Sequence, residues 1–287
     1  MSRTVYVNGA YLSEDEATVS IFDRAFLFAD GVYEVTAVVD GGLVDFDAHI
    51  ARLHRSLDEM EMASPLSDSD FAAMHKELIS RNGLTEGIVY MQVTRGAAER
   101  DFAFPDQATP TLIAFTQVKS LTNSELAQTG VNVVTLPDIR WKRRDIKSTA
   151  LLAQALTKEL AKQQGAFEGW MVEDGFITEG TSSSAFIVQD DRKIVTRPLS
   201  NAILPGVTRR AVLMLAKTAD VTVDERLFSV EEAKAAREAF LTSASSFVLP
   251  VVEIDGARIG DGKPGPVTDL FRKLYLDEAR RGELEKQ

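Results

Sequence analysis

With no cysteine and only three histidines, His49, His54 and His75, this 287-residue chain must draw its chemistry from lysines, carboxylates, tyrosines, hydroxyls or a bound cofactor. The lack of cysteine excludes disulfides, thiolate catalysis and cysteine-based metal centres. The histidines lie within one helical stretch of the first half, and no structural metal is expected from them. Lys147 draws attention because Asp145-Ile146-Lys147-Ser148-Thr149 lies between a strand with its following loop and a helix. A lysine so placed can project from a lobe boundary and lose its charge by desolvation, as an amine nucleophile requires. Taken alone, the pentapeptide describes a solvated loop lysine more simply, so its meaning depends on residues further along the chain.

Two later segments supply that context. Glu179 is followed by Gly180-Thr181-Ser182-Ser183-Ser184 directly after a strand, and Leu204-Pro205-Gly206-Val207-Thr208-Arg209 starts a helix. Free N–H groups at a helix start, joined by small hydroxyl side chains, form a cradle for a phosphate dianion. A Pro-Gly pair also simply initiates helices, so it identifies no ligand by itself.

The elements that must position these groups begin with hairpins. Residues Thr4 to Arg24 alternate around the turn signal Asn8-Gly9, and Val32 to Phe46 alternate around Asp40-Gly41-Gly42, so the chain opens with antiparallel sheet. Ile50, Leu53, Leu57 and Met60 then recur at helical spacing in a segment started by Asp47, and a second helix runs from Ser67 to Ser80, ended by Asn82-Gly83. Strands are expected over Ile88 to Thr94, Thr111 to Val118 and Val131 to Leu136. A helix is expected from about Ala150 to Gln164, and a hairpin over Gly169 to Thr178 turning at Asp174-Gly175. Beyond these come the helix after Pro205-Gly206, one capped by Ser229, a strand over Ala239 to Thr242, a hairpin at Asp255-Gly256 and a closing helix after Pro264.

Length alone suggests two lobes. The pattern predicts an α+β fold: a small N-terminal domain over 1–118, a polar linker over 119–130, and a larger domain over 131–287. A formal charge of −11 without a long Lys/Arg block argues against nucleic acid, the short run Lys142-Arg143-Arg144 notwithstanding. The opening MSRTVYVNGAYL has no basic n-region with an apolar core, and no apolar run is long enough to span a bilayer. The expectation is a soluble, cytoplasmic protein with no membrane partner.

The ordered segments Asp138-Ile139-Arg140-Trp141, Asp145-Ile146-Lys147-Ser148, Thr178-Glu179-Gly180-Thr181-Ser182-Ser183 and Ile203-Leu204-Pro205-Gly206-Val207-Thr208-Arg209 strongly resemble the fold-type IV pyridoxal-phosphate enzymes. So do Asp23-Arg24, Asp30-Gly31-Val32-Tyr33-Glu34, His49-Ile50-Ala51-Arg52-Leu53 and Ile259-Gly260-Asp261-Gly262-Lys263-Pro264-Gly265-Pro266, which extend the match over nearly the whole chain. Within that branched-chain/D-amino-acid aminotransferase family the chain looks most like the D-amino-acid enzymes. The resemblance implies a two-lobed fold, with a small α/β sandwich-like first domain and a larger, mostly β second domain flanked by helices. The implied cofactor is pyridoxal 5'-phosphate.

By that resemblance Lys147 is the Schiff-base lysine and the base that moves the proton at the substrate Cα. Glu179 pairs with the pyridine nitrogen. Arg52, Val207, Thr208, Ser182, Ser243 and Ala244 belong to the cofactor site, chiefly at its phosphate, with Ala244 acting through its backbone where some relatives carry a hydroxyl. Arg209 rivals Arg52 in charge, but its place on the helix suits a structural role. Tyr33 and Arg100 correspond to groups that hold the substrate α-carboxylate. Phe102 stands where the family's trap has a histidine, a departure that puts substrate range in question.

The implied reaction is ping-pong transamination between D-amino acids such as D-alanine and 2-oxo acids, pyruvate or 2-oxoglutarate. The same scaffold also serves (R)-amine transaminases, branched-chain L-amino-acid transaminases and aminodeoxychorismate-type lyases. A non-catalytic binding protein on it would be expected to lack Lys147 or Glu179. The resemblance implies a homodimer with the active site near the subunit boundary, where Trp141 and its basic neighbours are expected.

Overall fold

Asn8 and Gly9 both adopt positive φ, 47° and 94°, so the strands on either side fold back as a tight hairpin: β1 (Thr4–Val7) against β2 (Ala10–Ser13). The computed structural model describes residues 2–190 and 192–281, and contacts divide them into two units. The first holds residues up to Ser120 together with Ile146–Ala150. After β2 the alternation seen in sequence does not continue as strand. A short helix, α1 (Arg24–Phe28), forms instead, its N-terminus capped by the Asp23 carboxylate accepting from Ala25 N–H.

The first unit continues with β3 (Gly31–Val39), β4 (Gly42–Leu43), α2 (Phe46–Glu59), α3 (Asp68–Asn82), β5 (Gly87–Thr94) and β6 (Thr111–Val118). Ser67 caps α3 through Asp70 N–H, and Gly83 ends it in the left-handed conformation at φ 57°. The strands form one antiparallel sheet in the order β2-β1-β6-β5-β3-β4. Apolar residues of the sheet, among them Val32, Val89 and Met91, share a buried core with Leu53 and Leu57 of α2 and Phe71 and Leu78 of α3. Ile146 joins the same core, which is why the segment carrying Lys147 belongs to this unit although it follows β6 by many residues.

The second unit holds Leu121–Asp145 and the residues from Leu151 onward. Its elements are α4 (Glu125–Thr129), β7 (Val131–Pro137), α5 (Leu152–Gln163), β8 (Glu168–Glu173), β9 (Phe176–Gly180), β10 (Ser184–Asp190), β11 (Lys193–Thr196), α6 (Val207–Thr218), β12 (Thr222–Glu225), α7 (Val230–Lys234), β13 (Glu238–Ser243), β14 (Phe247–Ile254), β15 (Ala257–Arg258) and α8 (Pro266–Arg281). The polar stretch read as a linker thus contains α4, whose Ala127 is buried in this unit's core.

The nine strands run β12-β11-β10-β13-β14-β7-β8-β9, with β15 beside β14. Most neighbours are antiparallel; β7 pairs parallel with both β8 and β14, and β11 with β12. Trp170, Phe228, Ile187 and Leu241 are fully or almost fully buried in its core. The protein is therefore an α+β fold built on two sheets. Among the described residues no helix is long and apolar enough to cross a membrane.

Candidate active site

Strand alternation sends Tyr33 and Glu34 to opposite faces of β3, and the two faces have different chemistry. Glu34 is buried against α2, where His49 and Arg52, three residues apart, share one side of the helix. Arg52 Nε donates to Glu34 Oε1 and its Nη2 to Oε2, both at 2.8 Å, a two-pronged ion pair. His49 Nδ1 lies 2.7 Å from the same Oε2. Burial alone would raise the Glu34 carboxyl, but the Arg52 charge and the hydrogen bonds from Arg52 and His49 outweigh it and hold the group far below the ordinary carboxylate range. Arg52, expected to face a phosphate, is thus oriented by a buried anion.

On the other face the Tyr33 ring stacks on Tyr90 at 5.6 Å, and Tyr90 on Phe115 at 4.9 Å. The Lys147 segment runs beside β3 as a short added strand: Tyr33 N–H donates to the Lys147 carbonyl at 3.0 Å and Thr149 N–H to the Gly31 carbonyl at 2.9 Å. The Thr149 hydroxyl also donates to the Ala29 carbonyl at 2.9 Å. These bonds bring Lys147 Nζ to 4.2 Å from the Tyr33 ring centroid, a cation–π distance. No carboxylate pairs with this amine among the described residues. An amine fixed by its backbone but unneutralised by an anion is suited to attack a carbonyl carbon.

Arg100 and Phe102 lie in the loop after β5 and are exposed, Phe102 by 79%. The Arg100 guanidinium stands 5.3 Å from the Phe28 ring and 5.5 Å from that of Phe102, with no carboxylate partner among the described residues despite Glu99 and Asp101 beside it.

In the second unit Glu179, the last residue but one of β9, is buried and accepts from Arg140 Nη1 and, at 3.2 Å on each oxygen, from Leu204 N–H. Burial pushes its carboxyl up; the Arg140 charge and these hydrogen bonds pull it down without fully compensating. Arg140 is itself steered by Asp138, which accepts from its Nη2 at 2.7 Å and from the Thr178 hydroxyl at 2.7 Å. Sequence alone assigns Arg140 and Asp138 no role. Their spacing of two residues is a weak signal, because the contact with Glu179 spans 39 positions.

Two residues after Leu204, Gly206 starts α6 without a side-chain cap, and no acidic residue occupies the helix's first turn. The first-turn N–H groups of Val207 and Thr208 therefore remain available to an anion. A Cβ at Gly206 would approach Ser184 Oγ to 2.8 Å, and Ser184 faces Thr242 across β10 and β13. Thr242 Oγ1 is buried without a hydrogen-bond partner among the described residues. Ser243, expected nearby, bonds Ser246 Oγ at 2.7 Å, with Ala244 following in the same partly exposed turn. This donor set, a helix start, an orphaned hydroxyl and no competing carboxylate, fits a phosphate group.

The cradle expected after Glu179 is different. Ser182 N–H and Oγ both donate to Glu168 Oε1, at 2.9 and 2.8 Å, and the Thr181 and Ser183 hydroxyls also donate to the Glu168 carboxylate. A buried glutamate already fills that nest. Arg209 is buried on the Arg197 carbonyl and the Glu225 carboxylate, a structural placement.

Comparison with known proteins bears on this arrangement. The family described as "Amino-transferase class IV" matches residues 31–254. The chain is 39% identical to the D-alanine aminotransferase of Bacillus licheniformis over 264 residues, 92% of this chain and 93% of the relative. It is 37% identical to the D-alanine aminotransferase of Staphylococcus haemolyticus over 272 residues, 94% and 96% of the two chains. In fold it is similar to the branched-chain amino acid aminotransferase of Escherichia coli, with a TM-score of 0.91 at 23% identity over 97% of this chain and 95% of that one. The branched-chain aminotransferase of Thermoproteus uzoniensis superposes with a TM-score of 0.84 at 23% identity, over 100% and 97%.

Proposed function

This chain belongs to the class IV aminotransferases, and from that membership we infer that it is a pyridoxal-phosphate-dependent transaminase moving the amino group of D-amino acids such as D-alanine to 2-oxo acids. The reading is carried by Lys147, an amine held over Tyr33 by three backbone-anchored hydrogen bonds and left without an anionic partner among the described residues. Its support in substrate class comes from the D-alanine aminotransferases, at 37–39% identity over more than nine-tenths of the chain.

When bound, pyridoxal 5'-phosphate supplies an electron sink for the bond broken at the substrate Cα. Lys147 provides the amine that anchors it and then the base that carries the Cα proton. Glu179, whose charged form Arg140 and the Leu204 N–H favour against the opposing effect of burial, would accept a hydrogen bond from the ring nitrogen. The Val207 and Thr208 N–H groups, with Ser243 and the Ala244 backbone, serve the phosphate, and Arg52 contributes a guanidinium aimed by Glu34. Tyr33 and Arg100 hold the substrate carboxylate. Phe102 takes the place of a polar donor and presents an exposed ring packed 5.6 Å from Phe28.

That ring favours one second reading: an amine donor with an aryl group and no carboxylate, as an (R)-amine transaminase takes. We further propose a cytoplasmic homodimer. The homodimer is supported by apolar surface left uncovered in each unit, Ile21, Phe26 and Phe102 in the first and the stripe Leu152, Leu156 and Leu160 along one side of α5 in the second.

The test is to add D-alanine or L-leucine to the purified yellow protein and follow loss of the cofactor absorbance, then to measure pyruvate release from D-alanine with 2-oxoglutarate. Bleaching by D-alanine with turnover is expected. Bleaching by L-leucine alone would overturn the D-amino-acid reading.

A further inference from the structure

The loop bearing Arg100 and Phe102 does not hold itself in place. Arg24 Nη1 donates to the carbonyl of Asp101 at 2.7 Å and to that of Ala103 at 3.3 Å, bracketing Phe102. The same guanidinium lies 4.6 Å from the Phe28 ring, the ring that supports Arg100. Phe104, the next aromatic of the loop, sits with its centroid 3.6 Å from the Arg95 guanidinium. Both arginines turn on one atom: Arg24 Nε and Arg95 Nε donate to Asp30 Oδ2 at 2.7 and 2.8 Å. All three residues are buried.

Two buried guanidiniums cannot stand this close without an anion between them. Asp30 is also the residue before β3, and its carbonyl accepts from Arg95 N–H at 3.1 Å, so the start of the Tyr33 strand and the base of the Arg100 loop share one anchor. Removing its charge would leave the guanidiniums to repel, and the loop carbonyls would lose their oriented donor.

We propose that Asp30 is a positioning residue for substrate recognition, acting through Arg24 to set the loop that presents Arg100 to the donor's carboxylate. This rests on the reading of Arg100 as the carboxylate's partner. It assigns Asp30 no contact with substrate or cofactor.

The test is a double-mutant cycle in the cofactor-loaded enzyme with Asp30→Asn, Arg100→Ala and the double variant. Expected are a rise of roughly tenfold in KM for D-alanine in Asp30→Asn, little change in kcat, an unaltered cofactor absorbance, and no further rise when Asp30→Asn is added to Arg100→Ala. Additive effects, or an unchanged KM in Asp30→Asn, would overturn the proposal. Should Asp30→Asn not fold, Arg24→Lys, which keeps the charge but cannot serve Asp30 and the loop carbonyls together, is put through the same cycle with the same deciding outcomes. If wild-type enzyme proves to take L-leucine and not D-alanine, the D-amino-acid reading fails, and the cycle is run with L-leucine to decide on Asp30 separately.

Discussion

Lys147 and Tyr33 are joined twice, once through the backbone, where Tyr33 N–H donates to the Lys147 carbonyl at 3.0 Å, and once through the side chains, where Nζ lies 4.2 Å from the ring centroid. The first link fixes where the lysine leaves the chain. The second keeps its amine over a π face that attracts a cation without donating or accepting a strong hydrogen bond. Because the backbone bonds carry the placement, the side chain can be removed without disturbing the strand.

Lys147→Ala should therefore fold as the wild type does and lose about ten-thousand-fold in kcat. D-alanine-dependent pyruvate formation, alongside a thermal melt, measures both. Activity within tenfold of wild type would show that another group moves the proton.

Glu34→Gln should cost about 3 kcal/mol of stability, because it leaves the buried Arg52 guanidinium facing a neutral amide. The pH dependence has a definite sign. Glu34 has a folded pKa below its ordinary value of 4.5, so the unfolded chain takes up its proton first. Its stabilisation is complete above 4.5 and is lost as pH falls below that toward the folded value. Urea unfolding at neutral and acid pH should show a steeper acid loss in wild type than in the variant; equal slopes would remove Glu34 from the acid response.

Arg140→Gln takes away the cation that opposes burial at Glu179, so that carboxyl should rise further. If the ionised form is the active one, the acid limb of kcat/KM moves upward by about one pH unit. An acid limb that stays put in a pH-rate profile would mean that Glu179 ionisation does not govern the reaction.

Thr242→Val replaces a buried hydroxyl that has no hydrogen-bond partner among the described residues with a methyl group of similar size. Without cofactor, stability should hold or rise slightly. If the hydroxyl serves the phosphate, reconstitution of apoprotein with pyridoxal 5'-phosphate should need roughly tenfold more cofactor. Ser182→Ala supplies the contrast: its hydroxyl belongs to Glu168, and cofactor affinity should not change.

The sequence is most informative where structure is made by neighbours. Asn8-Gly9, Asp174-Gly175 and Asp255-Gly256 each turn a hairpin with positive φ, and Ser67 and Ser229 each cap a helix through the N–H three residues on. β10 leaves no periodic signal because its first five residues are all buried and show no alternation, and α1 leaves none because it is a single turn between strands.

At the site, Lys147, Glu179 and the start of α6 stand out in the sequence through the resemblance of their ordered segments to the family's motifs; taken alone, a lysine between elements and a Pro-Gly helix start identify no ligand. Alternation puts Tyr33 and Glu34 on opposite faces but cannot say what each face meets. Only the tertiary structure shows that Glu34 takes Arg52 and His49, 18 and 15 residues away, that Glu168 claims the Ser182 donors, and that Arg24 reaches 77 residues to the Asp101 carbonyl. The physical reason is that a side-chain ion pair needs only proximity and complementary charge. Neither imposes a spacing on the sequence, so which carboxylate neutralises which arginine is decided when helices and strands pack.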